Sequence, residues 1–177
     1  MKNAFHNFLE KIKVKDHFTT ALSISKDDFL SRLSSIVEEA DMNIFADAFD
    51  VFSSSRKEYK GQVSPEGFKF KRRKKMFDMN LNFATVKGKI DELNGQLVIE
   101  TEINGFTGVM PFFYAMLVFI YSMIVLTTIK GNGSGVLVFI IPHGIFMFLI
   151  PYFMMRRSVS KMKYELEREF FFLTKKS

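Results

Sequence analysis

"VLVFIIPHGIFMFLIPYFMM", residues 136–155, is a run of apolar side chains without a formal charge, and the rest of the chain is organised around it. It reaches the roughly 20 residues that span a hydrocarbon core at about 1.5 Å of helical rise each. "FFYAMLVFIYSMIVLTTI", residues 112–129, does the same. Glu102 and Lys130 bracket 27 uncharged residues, and Lys130 and Arg156 bracket another 25. A chain of 177 residues has too little material to enclose two all-apolar helices as a soluble core. The pattern therefore predicts two transmembrane helices, 112–129 and 136–155. The linker "KGNGSG", 130–135, can turn but cannot house a domain, so the spans form a hairpin with both chain ends on one side.

Charge assigns that side. Residues 1–60 carry 9 basic and 10 acidic side chains, residues 61–110 carry 8 and 6, and residues 111–177 carry 8 and 3. Arg156, Arg157, Lys161 and Lys163 follow the second span, whereas the hairpin loop offers only Lys130, so the positive-inside rule puts both termini in the cytoplasm. Phe112, Phe113, Tyr114, Tyr152 and Phe153 would form an aromatic belt at the same interface. Residues 1–15, with Phe5, Phe8, Leu9 and Ile12 on one face, read as a basic amphipathic segment rather than a signal peptide. There is no cysteine, which excludes disulfides, thiolate metal sites and cysteine nucleophiles.

Residues 17–104 read as an α+β domain. Phe18, Thr20, Leu22 and Ile24 alternate as a strand face, and from Ser25 to Ala40 the spacing becomes helical, with Phe29, Leu30, Leu33, Ile36 and Val37 on one side. Ser25 can cap this helix together with Asp28, and Ile24 can staple onto Phe29. Phe45, Ala48, Phe49 and Phe52 extend or follow it. Two hairpins come next, turning at Pro65-Glu66-Gly67 and at Asn94-Gly95. With Asn94-Gly95 as a two-residue loop, Lys89 faces Glu100, Lys87 faces Glu102, Ile90 faces Ile99 and Val86 faces Ile103. A slip of one residue would spoil both faces. The expected domain is a small, mostly antiparallel sheet of four or five strands with one or two covering helices. After the spans, residues 156–177 keep helical spacing through Val159, Met162, Leu166, Phe170 and Leu173, which predicts a C-terminal amphipathic helix docked on the sheet or on a partner. Lys161–Glu165 and Lys163–Glu167 can pair along it.

Few residues suggest chemistry. His6, His17 and His143 lack metal-ligand spacing, no catalytic triad is supported, and "GNGSG" lacks both the Lys and the preceding strand of a phosphate loop, so neither cofactor nor metal is expected. The expectation is a non-enzymatic protein. His143 lies midway along the second span between Pro142 and Gly144, and an ionisable group at that depth is a candidate intramembrane site. Its structural alternative is a neutral ring bonded to the first span, with Ser122 as a candidate partner, or to carbonyls freed by Pro142.

The stretch "GFKFKRRKKMF", 67–77, holds six basic side chains within positions 69–75. In a strand, Lys69, Lys71, Arg73 and Lys75 would share one face. No recognition helix or aromatic RNA-binding pair accompanies them, so nucleic acid is not the expected partner. A nearby anionic leaflet is, at about 1 kcal/mol per Lys or Arg close to the lipid surface, with Arg156 and Arg157 as further head-group or partner contacts. Neutralisation by Glu100 and Glu102 is the alternative. Tyr59-Lys60-Gly61, Phe68-Lys69-Phe70-Lys71-Arg72 and Gly88-Lys89-Ile90, in their order over residues 17–155, resemble a group of small bacterial two-span membrane proteins with an N-terminal cytoplasmic strand-helix-strand domain. That resemblance implies an inner-membrane location and carries no activity. The readings that follow are an accessory, scaffold or regulatory subunit with an unknown protein partner or homo-oligomer, and, as alternative, a small oligomeric transport-related protein using the spans around His143.

Overall fold

The computed structural model describes residues 2–42, 57–73, 83–93, 95–131 and 134–175. Helix α1 (Lys2–Lys11) leads into strand β1 (Lys15–Leu22), helix α2 (Lys26–Ile36) and a short strand β2 (Val37–Glu39). Two hairpins follow, β3 (Tyr59–Ser64) with β4 (Gly67–Arg72) and β5 (Thr85–Leu93) with β6 (Gln96–Asn104). They join into a six-stranded sheet of order β1-β6-β5-β4-β3-β2, antiparallel except for the β2–β3 pair. The sheet is thus larger than the expected four or five strands. The additional edge strand comes from the end of the anticipated helix: α2 stops at Ile36, and Val37–Glu39 pair in parallel with Tyr59–Gly61 instead of continuing the helix to Ala40. Val37 still donates its amide to the Leu33 carbonyl, so it closes one element while opening the next. Because β1 and β2 are opposite edges, α2 has to cross the whole sheet between them.

The β5–β6 register is the one the turn demands, with Lys89 opposite Glu100, Lys87 opposite Glu102, Ile90 opposite Ile99 and Val86 opposite Ile103. Gly95 takes φ +76°, the left-handed conformation that a type I′ position requires, while Asn94 lies outside the described residues. Ser25 caps α2 as anticipated, accepting the Asp28 amide at 3.1 Å and donating its hydroxyl to the Asp28 carboxylate at 2.8 Å. The Phe45–Phe52 stretch lies outside the described residues.

Helix α3 (Met110–Lys130) and helix α4 (Ser134–Lys175) are both long and apolar enough to cross a membrane. They pack on each other and leave most of their side chains uncovered, with Phe119 67% and Phe139 78% exposed. Helix α4 is the unforeseen element. The second apolar run and the C-terminal helix are one rod of 42 residues, about 63 Å long at 1.5 Å per residue, and no break falls between 155 and 156. Pro142 and Pro151 lie inside it. Each removes one amide donor without ending the helix.

Two clusters hold these parts together. The larger lies between the sheet and its helices, where Phe29 and Leu33 of α2 meet Val159, Met162, Leu166 and Phe170 of α4 over Leu22, Phe68, Phe70, Val86, Ile90, Leu97, Ile99 and Ile103. Phe170 sits at the centre, its ring 5.8 Å from Phe29 and 6.3 Å from Phe68. The smaller cluster, Leu9, Val14, Met110 and Met155 with Phe106, Tyr114 and Tyr152 around them, fills the junction where both apolar helices leave the domain. Tight backbone packing seals that junction. A Cβ added at Gly105 would lie 3.0 Å from Val159 Cγ2 and 3.1 Å from the Met155 carbonyl, so α4 rests directly on the end of β6.

Candidate functional site

The alternation of β4 sends Phe68 and Phe70 into the core and leaves Lys69 exposed on the other face, with Lys71 half-buried beside it. Pairing extends the basic patch sideways. Lys69 faces Lys87 of β5, and Lys71 faces Lys60 of β3, but Lys60 is 1% exposed, so the surface patch is drawn from β4 and β5. Lys60 follows from the register of the β3–β4 hairpin, whereas Lys87 joins Lys69 only through the β4–β5 pairing, which no turn signals. The patch is shorter along β4 than the expected row, however. Arg73 lies past the end of the strand, 5% exposed, with its guanidinium 2.7 Å from the Glu38 carboxylate, and Lys75 lies outside the described residues. Glu102 is not reserved for Lys87 either: it binds the Lys15 ammonium at 2.8 Å, and Lys89 turns to Asp91 at 2.6 Å rather than to Glu100. That bond, together with the nearby carboxylates, raises the pKa of Lys89.

On the inner face, charge serves docking. Glu165 of α4 is nearly buried and holds Arg72 at 2.5 Å, with Lys161 at 3.9 Å on the same oxygen. Tyr59 packs nearby, and its hydroxyl pKa is raised well above the ordinary tyrosine range by burial first and by the negative charge of Glu165 second. Lys163 forgoes the anticipated Glu167 and bridges to Asp16 at the start of β1, at 3.0 Å. Ser158 accepts the amides of Phe83 (2.8 Å) and Ala84 (3.0 Å), which lead into β5. Tyr152 donates to the Ile12 carbonyl at 3.2 Å. One helix therefore contacts the α1–β1 turn, β1, β4 and the lead into β5 through polar bonds of its own.

In the apolar pair, His143 Nδ1 lies 2.5 Å from the Tyr121 hydroxyl, not on Ser122. Gly144 gives the ring room, since a Cβ there would sit 3.1 Å from the Tyr121 ring, closer than ordinary contact. Tyr114 donates to the Phe148 carbonyl beside Pro151, at 3.1 Å. Both α3 tyrosines are thus spent on α4 near its prolines, tying the helices together where an apolar surround makes an unpaired hydroxyl costly.

Where the apolar run of α4 ends, Arg156 and Arg157 are exposed and have no hydrogen-bond or ion-pair partner among the described residues. They point to different places. Arg156 lines a groove of about 540 Å3 with Lys13, Lys15, Asp16, Ser160 and Lys163 at the free edge of β1. Arg157 does not reach it. No group of three or more His, Cys, Asp or Glu positioned for a metal occurs among the described residues.

The class defined by these observations is a two-layer α+β domain continuous with a pair of long, exposed apolar helices. No protein-family model, curated protein or solved structure matches the chain.

Proposed function

We propose that the protein is an integral membrane protein whose α3–α4 hairpin crosses the bilayer and fixes the α+β domain against the cytoplasmic leaflet, as a non-enzymatic accessory, scaffold or regulatory subunit. The observation that carries this reading is the continuity of α4, which runs from an exposed apolar half, Gly135–Met155, into the centre of the domain at Met162, Leu166 and Phe170. A flexible anchor would merely tether a domain. A continuous helix sets its height and orientation, which is useful when the domain has to present one face to lipid or to a partner. The exposed Lys69 of β4 and Lys87 of β5, with Arg156 and Arg157, supply the positive charge such a location favours. The hydrogen bond between Tyr121 and His143 supports a packing role for the histidine over a transport role.

Because the chain contains no cysteine, single cysteines report topology without background. In intact cells, Lys130→Cys should react with a membrane-impermeant maleimide, while Thr19→Cys and Ser160→Cys should react only after permeabilisation. Labelling of Ser160→Cys from outside would overturn the orientation, and release of the protein by alkaline carbonate would overturn the membrane reading altogether.

A further inference from the structure

The groove at the free edge of β1 has a specific construction. Helix α1 ends in a Schellman arrangement: the Lys13 amide donates to the Glu10 carbonyl at 2.9 Å, the Val14 amide donates to the Leu9 carbonyl at 2.9 Å, and Leu9 and Val14 share one apolar cluster. The position that takes left-handed backbone is ordinarily glycine. Here it is Lys13, at φ +58°, the only described non-glycine residue with positive φ. A lysine held there despite the backbone cost points its stem from a fixed turn, and its side chain lines the groove.

Lys13 and Arg156 make no side-chain hydrogen bond or ion pair among the described residues, whereas Lys15 and Lys163 are held in place by Glu102 and Asp16. The lining includes four cations, two of them unpaired, the hydroxyl of Ser160, and the carboxylates of Glu10 and Asp16. His17 also lines it and lies 3.5 Å from Glu10. The lining thus keeps an excess of positive charge, provided by groups that donate and cannot accept. Arg156 is in addition the first charged residue after the apolar half of α4.

We infer that this groove binds a phosphate group, with Lys13 and Arg156 as its principal charge partners, Ser160 as a hydroxyl donor and Lys15 and Lys163 as the supporting field. An oxyanion satisfies the forked donors of arginine and the point charge of lysine together. Resting on the membrane reading, the phosphate belongs to an anionic phospholipid head group that enters sideways at the level of Arg156; a free phosphate has the same chemistry.

The test uses the full chain in mild detergent, probed separately with dioleoylphosphatidic acid, dioleoylphosphatidylcholine and inorganic phosphate, and read by native mass spectrometry and thermal unfolding. One phosphatidic acid should be retained and should raise the midpoint, and phosphatidylcholine should not. Lys13→Gly and Arg156→Gln should each weaken retention about fivefold, the equivalent of roughly 1 kcal/mol for one cation near a lipid surface. Arg168→Gln, which pairs with Glu169 outside the groove, should leave it unchanged. Glycine is favoured at the turn, so Lys13→Gly should have an equal or higher midpoint without ligand, which separates lost binding from lost fold. Undiminished retention in both groove variants overturns the inference, as does equal loss in Arg168→Gln. Stabilisation by inorganic phosphate that depends on Lys13 and Arg156, with none from the lipid, supports the phosphate site and assigns it to a soluble anion. Release by carbonate would sink the membrane reading and leave this soluble-phosphate arm standing.

Discussion

His143 illustrates how an isolated residue is judged by its partner. Midway along an apolar run it signals a site from sequence, because an ionisable group there is expensive. Opposite Tyr121 it becomes half of a bond between two helices, and the adjacent glycine that admits the tyrosine ring belongs to the same device. A partner one turn position away from the candidate Ser122 could not be read without the rotation of α3. If the pair acts as a unit, Tyr121→Phe and His143→Phe will be non-additive. Each should destabilise by about 0.6–1.7 kcal/mol, and the double variant by about as much as one alone. Thermal unfolding of the four species in one detergent measures the coupling, and simple additivity would deny it. Arg73 went the other way: strand alternation placed it on the basic face, but β4 ends one residue earlier and Glu38 captures it.

Among the elements, the β5–β6 hairpin was fully legible because period-two alternation, opposite charges and an Asn-Gly turn all specify one register. β2 was hidden, since "VEE" at the end of a helical pattern gains its strand identity only from pairing with β3, more than 20 residues away. The β4–β5 contact was hidden for the same reason, and it contains a tightly fitted spot. Gly88 faces Phe68, and a Cβ on Gly88 would lie 2.0 Å from the tip of that ring. The glycine is there so the phenyl ring can lie across the strand. Gly88→Ala should therefore destabilise by about 1–3 kcal/mol through overpacking. Phe68→Leu in the same background should recover part of the loss, as a smaller side chain clears the added methyl. Equal thermal midpoints for the wild type and Gly88→Ala would contradict this fit.

For the molecule as a whole, composition made the two apolar runs plain, and the stripe Val159, Met162, Leu166, Phe170 and Leu173 announced a docking helix. The physical unity of run and stripe was not legible, because charges at Arg156 and Arg157 mark an interface and do not mark a helix end. That unity has an energetic consequence. Burying Val159, Met162, Leu166 and Phe170 contributes roughly 1.5–3 kcal/mol each, or about 6–12 kcal/mol gross. This is comparable with the whole net stability of a typical domain, about 5–15 kcal/mol. Residues 1–109 alone should accordingly fail to fold, giving little near-ultraviolet dichroism and rapid proteolysis. The same residues joined through a flexible linker to residues 154–175 should become protease-resistant. A stable fold for 1–109 alone would show that α4 merely rests on the domain.

A helix that completes the core from the far end of the chain also imposes an order of events in time. Strand β6 ends at residue 104 and Phe170 follows 66 residues later, an interval of about 3–13 s at the usual 5–20 residues per second of synthesis. Throughout it, Phe29, Phe68, Ile99 and Ile103 lack the helix that will cover them. The nascent domain stays without a packed core until both apolar helices have been made. A ribosome that stalls within them leaves a chain already recognisable as unfinished by its uncovered hydrophobic face, ready for chaperone retention or proteolysis before it can accumulate.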